Sequence, residues 1–228
     1  MDSILMMLSD RFFLNFIKGD RYQYLLGGLT ISLQLTLMAA VLGLVIGLLL
    51  AIAKISFKRG PVKAFADAYI AIIRGTPSVV QLTIIYFVVF ASVDVPKILV
   101  ATCAFGINSG AYVAEIIRAG IQAVDKGQME ASRSLGMSYF KSMRFIVVPQ
   151  AIKNILPALG NEFIVLLKET SIAGYIALDD LTRGGTIIRS QTYDAMTPLL
   201  AVAVIYFLLT SLLSAGLNKL EGRMRRGD

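Results

Sequence analysis

The sequence predicts an all-α membrane protein with about five transmembrane helices and further helices on the cytoplasmic side. Three observations lead there. The 228 residues are 56 % apolar and only 16 % charged, whereas a soluble domain carries about 25 % charged residues. The apolar residues are gathered into long stretches without charge, which is the signature of membrane spans. Lys and Arg fall mostly on alternate loops, as they do when they set the orientation of a multi-pass chain. The net charge of +7 is therefore read as topology, and nucleic acid is not an expected partner. Cys103 is the one cysteine and histidine is absent, so neither an internal disulfide nor a metal cluster is expected.

Residues 1–21 mix Phe12, Phe13, Phe16 and Ile17 with Asp10, Arg11, Lys18 and Asp20; an amphipathic segment at the membrane surface is expected. The start, MDSILMMLSDRFF, lacks the basic stretch of a cleavable leader, so the first span is expected to serve as the insertion signal. That span runs from Tyr22 to Ala53 without a charged side chain, and Gly43 and Gly47 form a step that permits close helix packing. Lys54, Lys58, Arg59 and Lys63 surround Gly60-Pro61 in a basic loop. A second span is expected from about Phe65 to Val93, holding Arg74 and Pro77, then a turn at Asp94–Lys97. The third runs from about Ile98 to Gly120.

Residues 125–149 are a polar, partly basic island. Asp125 can cap a helix start with Gln128 reaching back. That helix is expected to end at Gly136, which tolerates positive φ. Ser138 can cap a second helix, interrupted by Pro149, which lacks an N–H. Phe140, Met143 and Val147 share one side of it, with Tyr139 alongside. A bent protrusion of this kind suits insertion into a partner. The fourth span, about 150–172, holds Lys153, Asn161, Glu162, Lys168 and Glu169 and is too polar to face lipid. An outer loop with a short helix follows over 173–195, then a fifth span from about Pro198 to Leu217. The chain ends in a basic tail, 219–228, with Arg223, Arg225 and Arg226. The positive-inside rule puts the protrusion and the C-terminus in the cytoplasm and the N-terminus outside.

Glu130-Ala131-Ser132, then three residues, Gly136, nine residues and Ile146-x-Val148-Pro149 resemble the EAA signature of permease subunits of type I ABC importers. Ser132 and Val148 replace the usual Ala and Leu. Ile73-Arg74-Gly75-Thr76-Pro77, Leu159-Gly160-Asn161-Glu162-Phe163 and Lys168-Glu169-Thr170-Ser171 extend the likeness to the polar amino-acid uptake branch, over about residues 22–218. The resemblance implies a permease domain over 22–218 that works as a dimer, more readily of identical copies, in the bacterial inner membrane. It implies a nucleotide-binding ATPase subunit and an extracytoplasmic amino-acid-binding protein as partners. The loop at about 125–149 would dock on the ATPase: Glu130, Ala131, Ser132 and Gly136 give its shape, and Arg133, Lys141 and Arg144 give polar contacts. No G-x4-G-K-[ST] phosphate loop is present, so ATP and Mg are expected on the ATPase. The chain itself is expected to be no enzyme, without catalytic residues, metal or cofactor.

Charges inside a membrane cost about 3 kcal/mol each and mark function by default. Arg74 can fork onto a carboxylate, or pair structurally with Glu115 or Glu162. Glu162, mid-span, suits an ammonium or guanidinium, or serves packing and gating. Glu115 shares a stripe with Asn108 and Tyr112, beside Ser109, or forms a salt bridge to Arg118. Gly75 and Thr76, before Pro77, offer carbonyls to a ligand or simply bend the helix. Two carboxylates beside an arginine favour arginine, lysine or histidine as cargo; glutamine or another polar amino acid is the alternative. A carrier driven by an ion gradient is the competing class, and the protrusion argues against it. An intramembrane enzyme lacks the nucleophile, base or metal it would need.

Overall fold

A computed structural model describes residues 2–57 and 59–225. The basic residues Lys58 and Arg226 lie outside this set. Ten α-helices form, with no strand among the described residues: α1 (Asp2–Phe12), α2 (Tyr22–Ser56), α3 (Pro61–Arg74), α4 (Ser78–Ile84), α5 (Lys97–Gln122), α6 (Lys126–Ser134), α7 (Tyr139–Ser142), α8 (Val148–Glu169), α9 (Leu181–Thr192) and α10 (Met196–Arg225). Among the described residues, α2, α5 and α10 are long and apolar enough to cross a membrane. A fourth crossing arises if α3 and the stretch Ser78–Val89 count as one broken span.

The spans expected from sequence change in three places. The second is not continuous over 65–93 but breaks between Arg74 and Ser78, because Pro77 cannot donate to the ladder and restricts the residue before it. The fourth is a helix, α8, but its charges keep it out of the set that crosses by length and composition. The fifth does not stop at Leu217; α10 runs on to Arg225.

The chain divides into two units. One contains the segment ending at Ala39 with Ser78–Phe105 and Leu166–Leu212. Its core is Phe16, Leu25, Leu181, Ile188 and Val202. Here α9 lies against the first half of α2 almost backbone to backbone. A Cβ on Gly28 would stand 2.5 Å from the Asp180 carbonyl oxygen, and one on Gly184 2.4 Å from that of Tyr24. The Leu181 amide donates to Ser32 Oγ across the same seam, at 3.1 Å. Asp180 is fully buried and caps α9, accepting from the amides of Arg183 (3.0 Å) and Thr182 (3.2 Å); burial raises its carboxyl above the ordinary value.

The N-terminal stretch is tied into this unit. Asn15, fully buried, donates to Asp194 at 3.0 Å and accepts from the Thr192 hydroxyl at 2.9 Å. Asp194 in turn accepts from the Thr197 hydroxyl (2.7 Å) and the amides of Met196 and Thr197, so it starts α10. Phe12, Phe13 and Ile17 stay exposed.

The other unit holds Ala40–Pro77, Gly106–Val165 and the chain from Leu213 onward. Leu50 of α2, Ala66 and Ile70 of α3, and Ala111 and Ala114 of α5 form one core cluster. Ala51, Val113 and Ile117 form a second, with Ile155 and Leu159 of α8 against it. The Gly43 and Gly47 step is used within the chain: their added Cβ atoms would fall 2.9 Å from Ser109 Cβ and 2.5 Å from Val113 Cγ1 of α5.

Gly184→Ala and Gly28→Ala are each expected to cost about 1–3 kcal/mol, since the new methyl meets backbone that cannot rotate away. The thermal midpoint of the detergent-solubilised protein should fall, while Gly27→Ala, with open space at its Cβ, should leave it unchanged. Asp194 is held below the ordinary carboxylate value, first by the Thr197 hydroxyl. Its folded-state value lies under the unfolded one, so its contribution is complete at neutral pH and lost as pH falls through the folded value. Asp194→Asn should therefore lower the midpoint at pH 7 and lower it progressively less below about pH 4.

Candidate functional site

The residues read from sequence as candidates for cargo and for docking all lie in the unit containing α3 and α6. Asn108, Ser109, Tyr112 and Glu115 follow one another along α5, with Asn108 and Ser109 buried. α3 is pinned to α5 by Tyr69, whose hydroxyl donates to the Ile107 carbonyl at 2.7 Å. One turn further, α3 ends at Arg74, whose guanidinium stands 5.2 Å from the centre of the Tyr112 ring. A cation over an aromatic face is attracted by the ring's quadrupole, which takes up none of its N–H groups. Thr76 turns its hydroxyl back to the Ile72 carbonyl at 2.9 Å, and Gly75 closes α3 through its amide to Ala71; both residues are exposed.

Ser109 donates to Glu162 Oε1 at 2.8 Å, joining α5 to α8. The hydroxyl fixes the carboxylate without adding a charge of its own. Glu115 is placed differently. Its Oε1 is 2.7 Å from the Lys54 ammonium and its Oε2 is 2.6 Å from Arg118. Two cations thus occupy a carboxylate that sequence reasoning set beside the cargo. Lys54 and its second partner, Asp67 on α3 at 3.1 Å, were missed. The available signal was a lysine one turn after Leu50 at the end of an uncharged run, and an aspartate in the otherwise uncharged stretch 64–73.

In the protrusion, Asp125 caps α6 by accepting from the Gly127 amide at 2.6 Å. Gln128 does not reach back; its Oε1 faces Gln150 Nε2 at 3.4 Å. After α6, Gly136 adopts φ +84°; its amide donates to Arg133 O at 3.0 Å and that of Met137 to Ser132 O at 3.1 Å. These paired bonds close the helix in the left-handed manner that glycine favours. Ser138 caps α7, accepting from the Lys141 amide at 3.4 Å. Pro149 does not interrupt the helical path beyond α7. A wide turn over Met143–Val147, with the Val148 amide bonding five residues back to Met143, makes room for the ring, and the proline sits in the first turn of α8, where a missing N–H costs little.

Glu130, Ala131, Arg133, Gly136, Lys141 and Arg144 are exposed or partly so, while Ser132 is buried and donates to Met129 O at 2.9 Å. The apolar stripe divides. Val147 is buried and Met143 half-buried, lining a cavity of about 600 Å³ with Ile121, Val124 and Met129. Leu135 (85 % exposed) and Phe140 (71 %) stand in the open. The protrusion is therefore a folded scaffold below and a bare apolar tip above.

Known proteins share both the sequence and the fold. A family model described as binding-protein-dependent transport system inner membrane component matches residues 13–226. A putative glutamine transport system permease protein of Rickettsia typhi is 41 % identical over 203 residues, covering 88 % of this chain and 93 % of that one. An arginine transport system permease protein of Bacillus subtilis is 40 % identical over 207 residues, covering 90 % and 94 %. The crystal structure of an amino acid ABC transporter with histidines superposes with a TM-score of 0.84 at 48 % identity, covering 91 % of this chain and 98 % of that one.

Gly136→Ala is expected to cost about 1 kcal/mol through its left-handed backbone, and Gly136→Asn less. Amide hydrogen exchange at Met137, whose bond closes the turn, should quicken more in the alanine variant.

Proposed function

The chain belongs to the family of binding-protein-dependent transport system inner membrane components, and on that premise we propose that it is the permease subunit of an ATP-driven importer of polar amino acids. The observation that carries this reading is the protrusion: a capped α6, a left-handed turn at Gly136 and a second capped helix, presenting Leu135, Phe140, Arg133, Lys141 and Arg144 outward. A channel or gradient-driven carrier has no need of such an element. A separate ATPase subunit, binding ATP and Mg, takes the tip in a surface groove. An external binding protein delivers the cargo, and a second, identical copy completes the path. The chain sits in the bacterial inner membrane with its N-terminus outside and its C-terminal tail (219–228) in the cytoplasm, as its Lys and Arg distribution favours.

For the cargo, Arg74 offers a fork to an α-carboxylate and Glu162 a charge to a cationic group, with Asn108, Ser109, Tyr112, Gly75 and Thr76 completing the lining. Glu115, already holding Lys54 and Arg118, contributes structure more than binding. The preference for arginine, lysine or histidine therefore leans on Glu162, and it is supported by the likeness to an arginine permease and to a transporter solved with histidines. Glutamine is the second reading, favoured by the relatives named as glutamine permeases; Glu162 would then accept from the side-chain amide.

When ATP draws two ATPase subunits together, the two protrusions follow and the spans open outward to accept cargo. Hydrolysis returns them to the inward state. Reconstituted with its ATPase and binding protein, the wild-type chain should take up one class of amino acid only while ATP is supplied. Glu162→Gln should lower uptake of a basic amino acid at least tenfold and glutamine uptake far less. Unchanged uptake of both removes Glu162 from the site; uptake driven by a proton or sodium gradient without ATP overturns the importer reading.

A further inference from the structure

Lys54 leaves the last turns of α2 with only 14 % of its side chain exposed, and it stands between two carboxylates on two other helices: Glu115 of α5 at 2.7 Å and Asp67 of α3 at 3.1 Å. Each carboxylate holds a second cation on its other oxygen. Arg118 takes Glu115 Oε2 at 2.6 Å, and Lys63 takes Asp67 Oδ2. Three cations and two anions thus alternate across α2, α3 and α5. Beside this row the same helices pack through Leu50, Ala66, Ile70, Ala111 and Ala114. Small apolar residues let helices approach but hold their register weakly; a row of alternating charges allows one register.

Enclosed ion pairs of this kind add little net stability, because desolvation offsets most of the attraction; fixing a register is their best attested use. The position of this row gives the register a purpose. α5 is joined by a short turn at residues 123–125 to α6, the base of the protrusion. α3 carries Asp67 and, two turns or about 10 Å further on, ends at Arg74 against Tyr112. The row therefore lies on the rigid path from protrusion to candidate cargo side chain.

We propose that Lys54 is a positioning residue for transport: by tying Glu115 to Asp67 it makes α3 follow α5, so that a displacement of the protrusion reaches Arg74 as one rigid-body motion. This rests on the reading of the protrusion as the element that docks the ATPase.

Two measurements test it on the complete importer in liposomes. With Cys103→Ser as background, spin labels at Lys126→Cys on α6 and Ile72→Cys on α3, both exposed, should keep one distance with and without ATP. In Lys54→Met the distribution should broaden or shift by several ångström on ATP binding. A distance that changes with ATP in the otherwise wild-type chain shows that α3 does not follow the protrusion, and overturns the proposal. The second readout is uptake per ATP hydrolysed. Lys54→Met leaves Glu115 paired with Arg118 and Asp67 paired with Lys63, two neutral pairs with no tie between them, and Lys54→Leu does the same with a shorter side chain. Both should hydrolyse ATP within threefold of wild type and fall at least fivefold in uptake per ATP, whereas Lys54→Arg should stay within twofold of wild type. Normal uptake per ATP in the assembled Lys54→Met complex overturns the proposal. Failure of the wild-type chain to bind any ATPase overturns the docking reading first, and this inference with it.

Discussion

A charge withdrawn from water has to bring its counter-charge along, and the unit holding α3 and α6 is laid out by that requirement. Lys54 and Glu115 are largely withdrawn from water, with 14 % and 17 % of their side chains exposed, and Asp67 and Arg118 complete the pairing from more open positions. Together they satisfy one another only if α2, α3 and α5 meet at a fixed height and rotation. The apolar contacts beside them, the glycine step of α2 against α5 and the Tyr69 bond to Ile107 are all consistent with that one arrangement. Arg74 stands over an aromatic face and Glu162 accepts from a hydroxyl of α5, contacts that orient both side chains.

The other unit solves its polar problem with carboxylates at helix starts. Asp180 opens α9 and Asp194 opens α10, each supplying acceptors to amides that a helix leaves unsatisfied. Asn15 then hangs the N-terminal stretch on Asp194. Direct contact between α9 and α2 is possible because Gly28 and Gly184 bring no side chain to the seam. Two helices that would otherwise need a layer of side chains between them are thereby held backbone against backbone.

Much of this was legible from the chain alone. Long uncharged runs marked α2, α5 and α10, and the cap at Asp125, the turn at Gly136 and the cap at Ser138 followed from residue chemistry at the right spacing. The misreadings share one cause, which is that sequence spacing describes a helix and not its neighbours. Pro149 looked like a break because the pattern cannot show a wide turn that absorbs the ring. Gln128 looked like a capping partner because Gln150, distant in sequence, was invisible. Glu115 was open to a cargo role or a salt bridge to Arg118, and the bridge forms; only Lys54, sixty-one positions earlier, gave no sign of standing opposite. Arg74 on Tyr112 and Ser109 on Glu162 were likewise readable as polar residues but not as pairs.

Leu135 and Phe140, bare at the tip of the protrusion, bear on the life of the chain before assembly. An apolar tip flanked by arginine and lysine is soluble enough to be held in water for a while but adhesive enough to be recognised as unfinished. Two large apolar side chains left in water forgo the burial that a partner surface would give them, so anything that covers the tip also stabilises the protrusion beneath it.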